Sequence, residues 1–240
     1  TEDNYVVYFK GKSQNLVINM IRKLAKDDKV IHIQPNFRYY PCAFPKSYSY
    51  NFATTRAYEM IEAPGAWDYA TGKGIKVGVI DTGVNSTFLK YNQTLSHKYG
   101  SHPAGVCSWT DCKHNQHGTM VASVIGKNVT TNESFVGLAY DCEIVSYDVL
   151  EKDESFTTDG IASAINKAQL DGIKILNASF GPSDPSKVNS IFDSEQLKAI
   201  KNYSGLYIKS AGNECYNIDN YSDKNNYKNL PNLIIVGAVD

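Results

Sequence analysis

The sequence contains no run of about 18 apolar residues, so no segment of it reads as a membrane-spanning helix. It also carries almost no net charge. Its 24 lysines and arginines against 25 aspartates and glutamates leave −1, which argues against nucleic acid or an anionic membrane as the main partner. No basic-then-apolar leader opens the chain at Thr1, so it is read as a processed chain or a fragment. The five cysteines (Cys42, Cys107, Cys112, Cys142 and Cys215) are more than a cytosolic enzyme needs, yet their odd number leaves at least one unpaired or bonded outside the chain. Cys107 and Cys112 flank Ser108-Trp109-Thr110-Asp111 and either close a small loop disulfide or stand as ordinary thiols. A zinc site from Cys107, Cys112, His114 and His117 is set aside, because His117 has a better use, and no metal ligand set is assigned.

What is present is enough for one large core and a small appended unit: 240 residues, 42% of them hydrophobic. Residues 1–45 look separate. Tyr5 to Phe9 alternates like a strand, Leu16, Val17, Met20, Ile21 and Leu24 follow at helical spacing, and Val30-Ile31-His32-Ile33 reads as a second strand. Pro41 to Ala57 is aromatic-rich, lacks helical period and reads as a linker, and residues 46–65 are taken as the linker and the start of the main region. From residue 66 to 240, apolar strands alternate with amphipathic helices. The strands are expected at Ile75 to Ile80, Ile144 to Leu150, Ile173 to Phe180, Leu206 to Ala211 and Leu233 to Ala238; the helices at His117 to Ile125, Thr158 to Leu170 and Ser194 to Tyr203. Such alternation specifies an α/β fold, a mainly parallel sheet with helices on both faces, preceded here by a small α+β piece. Ligands then gather at the carboxyl ends of the strands, where Asp81, Ser179 and Asn213 fall.

Three short motifs carry chemistry. Asp81 ends the apolar run Val77-Gly78-Val79-Ile80, a poorly hydrated place where a carboxylate stays ionised only with good hydrogen bonds. His117 opens an apolar helix in Asn115-Gln116-His117-Gly118-Thr119, and Gly118 lets that helix approach the sheet while the imidazole faces the cleft. An imidazole is the general base that peptide hydrolysis near neutral pH needs. Asn213 follows the third apolar run in Ser210-Ala211-Gly212-Asn213. The other histidines, His32, His97, His102 and His114, are read as solvated. Asp81-Thr82-Gly83 is also the signature triplet of aspartic proteases, but those need two such carboxylates sharing a proton, and the chain has one copy in an alternating strand–helix pattern. A nucleotide-binding reading fails too, because Gly72-Lys73-Gly74 precedes the first main strand and Asp81 would repel a phosphate.

The order Asp81, His117, Asn213 resembles the subtilisin-like serine proteases, whose triad runs acid, histidine, serine along the chain. The resemblance implies a serine-type endopeptidase in which His117 takes the serine proton, Asp81 holds His117, and the Asn213 amide donates to the oxyanion. It makes Asn177-Ala178-Ser179-Phe180-Gly181 one wall of the primary specificity pocket, with Ser179, Phe180 and Gly181 meeting substrate, and Ser210, Ala211 and Gly212 the other. It makes residues 1–45 part of an inhibitory propeptide whose tail threads the active site, so that the expected partners are a protein or peptide substrate and the chain's own propeptide. Three departures stand out. Glu154-Ser155-Phe156 replaces a glycine-rich edge strand that pairs with substrate, which puts ordinary extended-substrate binding in doubt. Asp148 stands where many members have lysine. Calcium enters only through the resemblance, and the loop Lys127 to Glu133 differs from the calcium-binding loop of some members.

No Gly-Thr-Ser nucleophile segment occurs up to Asp240, so the stretch alone is expected to be inactive and to be a fragment of a longer enzyme. The alternative from another class is a pseudoprotease that binds peptides or partners without cutting them; it would leave the sheet with exposed apolar edges. Seven Asn-x-Ser/Thr sequons, at Asn85, Asn92, Asn128, Asn132, Asn177, Asn202 and Asn220, fit a secreted glycoprotein or one of a vacuolar or lysosomal lumen, except that Asn177 lies within an apolar strand.

Overall fold

The computed structural model describes residues 7, 14–31, 33, 38–41, 56–87, 89–102, 116–128, 136–182, 190–213, 217–221 and 224–238. The chain divides into two compact units, Thr1–Phe37 and Arg38–Asp240. In the first, the expected helix forms as α1 (Gln14–Leu24), with Arg22 and Lys23 in the last turn, where they complement the helix dipole. The strand expected from Val30 does not form: Val30, Ile31 and Ile33 lie outside any strand, and the chain leaves α1 through a turn in which the Val30 N–H donates to the Asp27 carbonyl at 2.9 Å. The Lys29 N–H donates to the Asp27 carboxylate at 3.0 Å, so local bonds satisfy backbone groups that a strand would have offered to a partner. Of the Tyr5 to Phe9 segment only Val7 is described, and it is not in a strand.

The second unit is built on a six-stranded sheet, β3 (His97–Lys98), β4 (Glu143–Asp148), β2 (Lys76–Asp81), β6 (Ile175–Ala178), β8 (Leu206–Ser210) and β9 (Leu233–Val236) in that spatial order. Every neighbouring pair is parallel. On one face α4 (His117–Gly126) covers Val77, Val79 and Ile144. On the other, α5 (Thr158–Leu170) and α6 (Ser194–Asn202) pack Ile161, Ala164, Ile165, Leu197 and Ile200 against Ile80, Val145, Leu176 and Tyr207. The alternation of β2 explains this: Val77 and Val79 face one layer, Gly78 and Ile80 the other. Gly78 is required there, since a Cβ at that position would lie 2.5 Å from Leu176 Cδ2 and 3.0 Å from the Tyr147 ring. The helix α6 starts on Asp193, whose carboxylate accepts the Gln196 N–H at 2.8 Å.

A separate three-stranded sheet runs beside the carboxyl ends of these strands, in the order β5 (Phe156–Thr157), β1 (Arg38–Pro41), β7 (Phe180–Pro182). β1 is antiparallel to both neighbours. Two further short helices, α2 (Arg56–Met60) and α3 (Ala63–Trp67), were not among the expected elements. Tertiary bonds hold them: the Trp67 indole N–H donates to the Leu138 carbonyl at 2.7 Å, and the Tyr58 hydroxyl to the Val136 carbonyl.

His97 corrects the expectation of a solvated ring. Its Nε2 lies 3.6 Å from the Asp171 carboxylate, and the imidazole stacks on Tyr147 with centroids 6.2 Å apart. Asp171 comes from the end of α5, so only tertiary packing creates this environment. Cys107, Cys112, Cys42 and Cys215, and with them the disulfide alternative, lie outside the described residues. Cys142 is buried against the α4 layer, and burial pushes its thiol up to about 11. The neutral thiol form therefore persists through pH 8, and Cys142 is expected to resist alkylation by iodoacetamide in the native protein and to react on denaturation. Peptide mapping that finds Cys142 modified at the native rate of exposed thiols would contradict this burial.

Candidate active site

Asp81 is the last residue of β2 and fully buried. Its carboxylate is not left without partners: Oδ1 accepts the Thr82 N–H at 2.7 Å, and both oxygens meet His117 Nδ1, at 2.8 and 2.9 Å. Such bonds offset the desolvation of a polar group in a place this dry. His117 is the first residue of α4 and only 5% exposed. The bond of Nδ1 to the carboxylate fixes the orientation of the imidazole.

The approach of α4 to β2 rests on Gly118. A Cβ there would sit 2.3 Å from the Gly83 carbonyl oxygen and 3.1 Å from the Asp81 Cβ, so any larger residue would push the helix off the strand end. Thr82 completes the junction by accepting the Gly118 N–H on Oγ1 at 3.0 Å. Sequence reading gave Thr82 no role; the available signal was its place between the acid and a glycine, and the helix N-terminus whose N–H it accepts is brought to it only by the fold.

The predicted pocket walls fall as follows. Ser179 lies between β6 and β7, and its hydroxyl oxygen accepts from the Asn177 amide at 2.9 Å. Phe180 and Gly181 open β7. Ser210 ends β8 and donates its hydroxyl to the Phe180 carbonyl at 3.3 Å, which joins the two walls. Ala211 donates its N–H to the Val236 carbonyl at 2.8 Å, Gly212 has φ +105°, and Asn213 is exposed just beyond it on the same side of the sheet. The structure thus joins Asp81 to His117 and Phe180 to Ser210.

One residue of this region, Lys209, was missed. Lys209 is fully buried, donates to the Ser210 carbonyl at 3.1 Å and holds its ammonium 5.1 Å from the Phe180 ring centroid. Its place two residues after Tyr207 in an alternating strand was the available signal. Phe156 was named from the sequence only as part of a bulkier edge. Its ring is fully buried and meets Phe180 edge to face at 5.2 Å, so its bulk turns into the core and leaves the β5 backbone free to pair with β1. The β5 backbone thus pairs with β1 through Phe156 and Thr157. Asp148 pairs with Lys98 at 2.9 Å. Among the described residues, no group of three or more histidine, cysteine, aspartate or glutamate side chains is placed to hold a metal ion, and no helix is long and apolar enough to cross a membrane.

A parallel α/β domain with a buried Asp–His pair at its strand ends is the setting in which a family match is informative. The subtilase family, peptidase S8, matches residues 72–240, and the chain belongs to it. An intracellular serine protease of Paenibacillus polymyxa is 31% identical over 197 residues, 77% of this chain and 56% of that protein. Human neuroendocrine convertase 2 is 31% identical over 128 residues, 51% of this chain and 20% of the convertase. The chain thus spans well under two thirds of the curated relatives it matches. The crystal structure of MycP1 from Mycobacterium smegmatis shares the fold, with a TM-score of 0.54 at 21% identity over 86% of this chain and 62% of that one.

Proposed function

We propose that the complete protein is a serine endopeptidase that hydrolyses peptide bonds with Asp81, His117 and a serine supplied outside these 240 residues. The observation that carries the reading is the buried contact of His117 Nδ1 with both Asp81 oxygens, at 2.8 and 2.9 Å, beside a cleft whose edges already hold an extended strand. His117 Nε2 takes the serine proton as the hydroxyl attacks the scissile carbonyl, then returns it to the leaving amine; Asp81 holds the ring and stabilises the imidazolium. The Asn213 amide donates to the oxyanion. Ser179, Phe180 and Gly181 on one side, and Ser210, Ala211 and Gly212 on the other, flank the residue at the cut.

Residues 1–45 serve as an inhibitory propeptide remnant, 46–65 as the junction, and 66–240 as the catalytic portion. Support for this division comes from β1, an extended segment of the chain that closes the otherwise unpaired edges of β5 and β7 in the manner of a substrate strand. The protein acts in the secretory route or a lysosome-like lumen. Asn85, Asn202 and Asn220 support that compartment as exposed sequons, whereas Asn177 is engaged within β6 and Asn92 donates its amide to Glu143 at 2.7 Å.

The test is peptide hydrolysis by the complete, processed protein and its Asn213→Ala variant. Loss of one oxyanion donor is expected to lower kcat by about 10²–10³-fold with little change in KM. A folded wild-type protein that cuts no peptide would refute the enzyme reading; an unchanged kcat in the variant would remove Asn213 from its role.

A further inference from the structure

The connection that leaves β2 is pinned across the first turn of α4. Thr82 accepts the Gly118 N–H on Oγ1 at 3.0 Å, and the Asn85 N–H donates to Thr119 Oγ1 at 2.9 Å. The backbone of Asn85 is thereby held in place beside residue 119, two residues from His117 in the same helical turn. Its side chain is held as well. Asn85 Oδ1 accepts the Thr87 N–H at 3.0 Å and the Thr87 hydroxyl at 2.6 Å, and Asn85, Ser86 and Thr87 are all exposed. Both bonds use the amide oxygen. The amide nitrogen, Nδ2, has no acceptor among the described residues, and it stands on an exposed residue at the rim of the Asp81–His117 pair.

Asn85-Ser86-Thr87 is an acceptor sequence for N-linked glycans, which are bulky and need a nitrogen that the fold leaves in solvent. Two other sequons fail that requirement. The Asn92 amide donates to Glu143 at 2.7 Å and the Asn177 amide to Ser179 at 2.9 Å, so a sugar on either nitrogen would crowd a bond inside the fold. Asn202 and Asn220 are exposed, but they lie at the end of α6 and in the turn Ile218–Asn220, away from the junction of β2 with α4. Asn85 alone among these five is tied to the helical turn that carries His117.

Resting on the protease function and the secretory compartment proposed above, we propose that Asn85 carries an N-linked glycan and that this glycan filters substrates by size. The donor is an oligosaccharide joined to a lipid diphosphate. Asn85 Nδ2 forms the new bond to the anomeric carbon, the bond from that carbon to the diphosphate oxygen breaks, the lipid diphosphate leaves, and one Nδ2 proton passes to a base of the transferring enzyme. The attached glycan then occupies the solvent beside the first turn of α4. An extended peptide presents little more than a strand to the cleft and passes it. A folded protein brings a broad surface with its scissile loop, and the glycan removes most of the orientations in which that surface could dock.

The experiment secretes the complete protein from a eukaryotic cell as wild type, Asn85→Gln, Thr87→Ala and Thr87→Ser, and maps glycans by mass before and after peptide-N-glycosidase. A glycan on Asn85 is expected in wild type and Thr87→Ser and absent from the other two. The probes are native serum albumin and a short peptide that spans one of its cut sites. For the peptide, kcat/KM should stay within about twofold in all four proteins. For native albumin it should rise about tenfold in Asn85→Gln, in Thr87→Ala and in wild type stripped of its glycan, because docking orientations are restored. Agreement of the two variants with the stripped wild type separates loss of the glycan from loss of the Asn85–Thr87 bonds. Glycans at Asn202 or Asn220 with none at Asn85 overturn the site and leave the compartment standing; a chain with no glycan overturns both. An albumin rate unchanged by loss of the glycan overturns the filter. Failure of folded wild type to cut the peptide brings down the protease reading and the filter with it, while the mass still decides the glycan.

Discussion

Replacing His117 by alanine in the complete protein is expected to lower kcat for peptide hydrolysis by about 10⁶-fold while KM stays within a few-fold, the pattern of a lost general base. The magnitude follows from how the ring is held. His117 is buried to 5% exposure, one nitrogen faces both oxygens of a fully buried carboxylate, and no other described histidine approaches Asp81. Asp81→Asn should cost less, about 10⁴-fold, since the amide keeps the geometry but favours the wrong tautomer of the ring. Both variants should fold, because each substitution leaves α4 seated through Gly118 and Thr82. Steady-state kinetics beside circular dichroism checks the pair; activity within tenfold of wild type in folded His117→Ala would contradict the assignment.

The second large effect concerns β1. While residues 38–41 remain covalently joined to the domain, their strand faces its cleft at an effective concentration on the order of millimolar. Even a micromolar dissociation constant then leaves about one molecule in 10³ open. Peptide turnover by the uncut chain is therefore expected to be low and independent of protein concentration. Once the junction is cut, inhibition becomes bimolecular, and dilution below the dissociation constant should raise specific activity by about 10³-fold. A dilution series before and after processing measures this. Equal specific activity in both forms would show that β1 does not block the cleft.

The elements that read correctly from sequence are those whose signal is local. The apolar runs at β2, β4, β8 and β9 and the periodic stretches at α4, α5 and α6 each announce a buried strand or an amphipathic helix within a few residues of their observed bounds. The run Ile173 to Phe180 was read as one strand, yet the chain breaks at Ser179 into β6 and β7, because Phe180 leaves the parallel sheet to flank β1. Apolar content alone does not encode which sheet a residue joins. β1 itself was illegible: a short segment with a proline needs partners more than 100 residues away to become a strand, and those pairings are long-range. The Asp81–His117 pair was legible through motif and order, whereas Thr82, Lys209 and the Phe156–Phe180 contact depend on neighbours that only the fold supplies.

The central claim is that His117, oriented by Asp81, activates a serine for attack on a carbonyl. Labelling with a fluorophosphonate, which forms a covalent bond only with an activated serine hydroxyl, tests it most directly. In the complete, processed protein the account predicts one labelled serine, found by mass spectrometry, with labelling lost in His117→Ala. A folded wild-type protein that takes no label, or a variant labelled as fast as wild type, would contradict it.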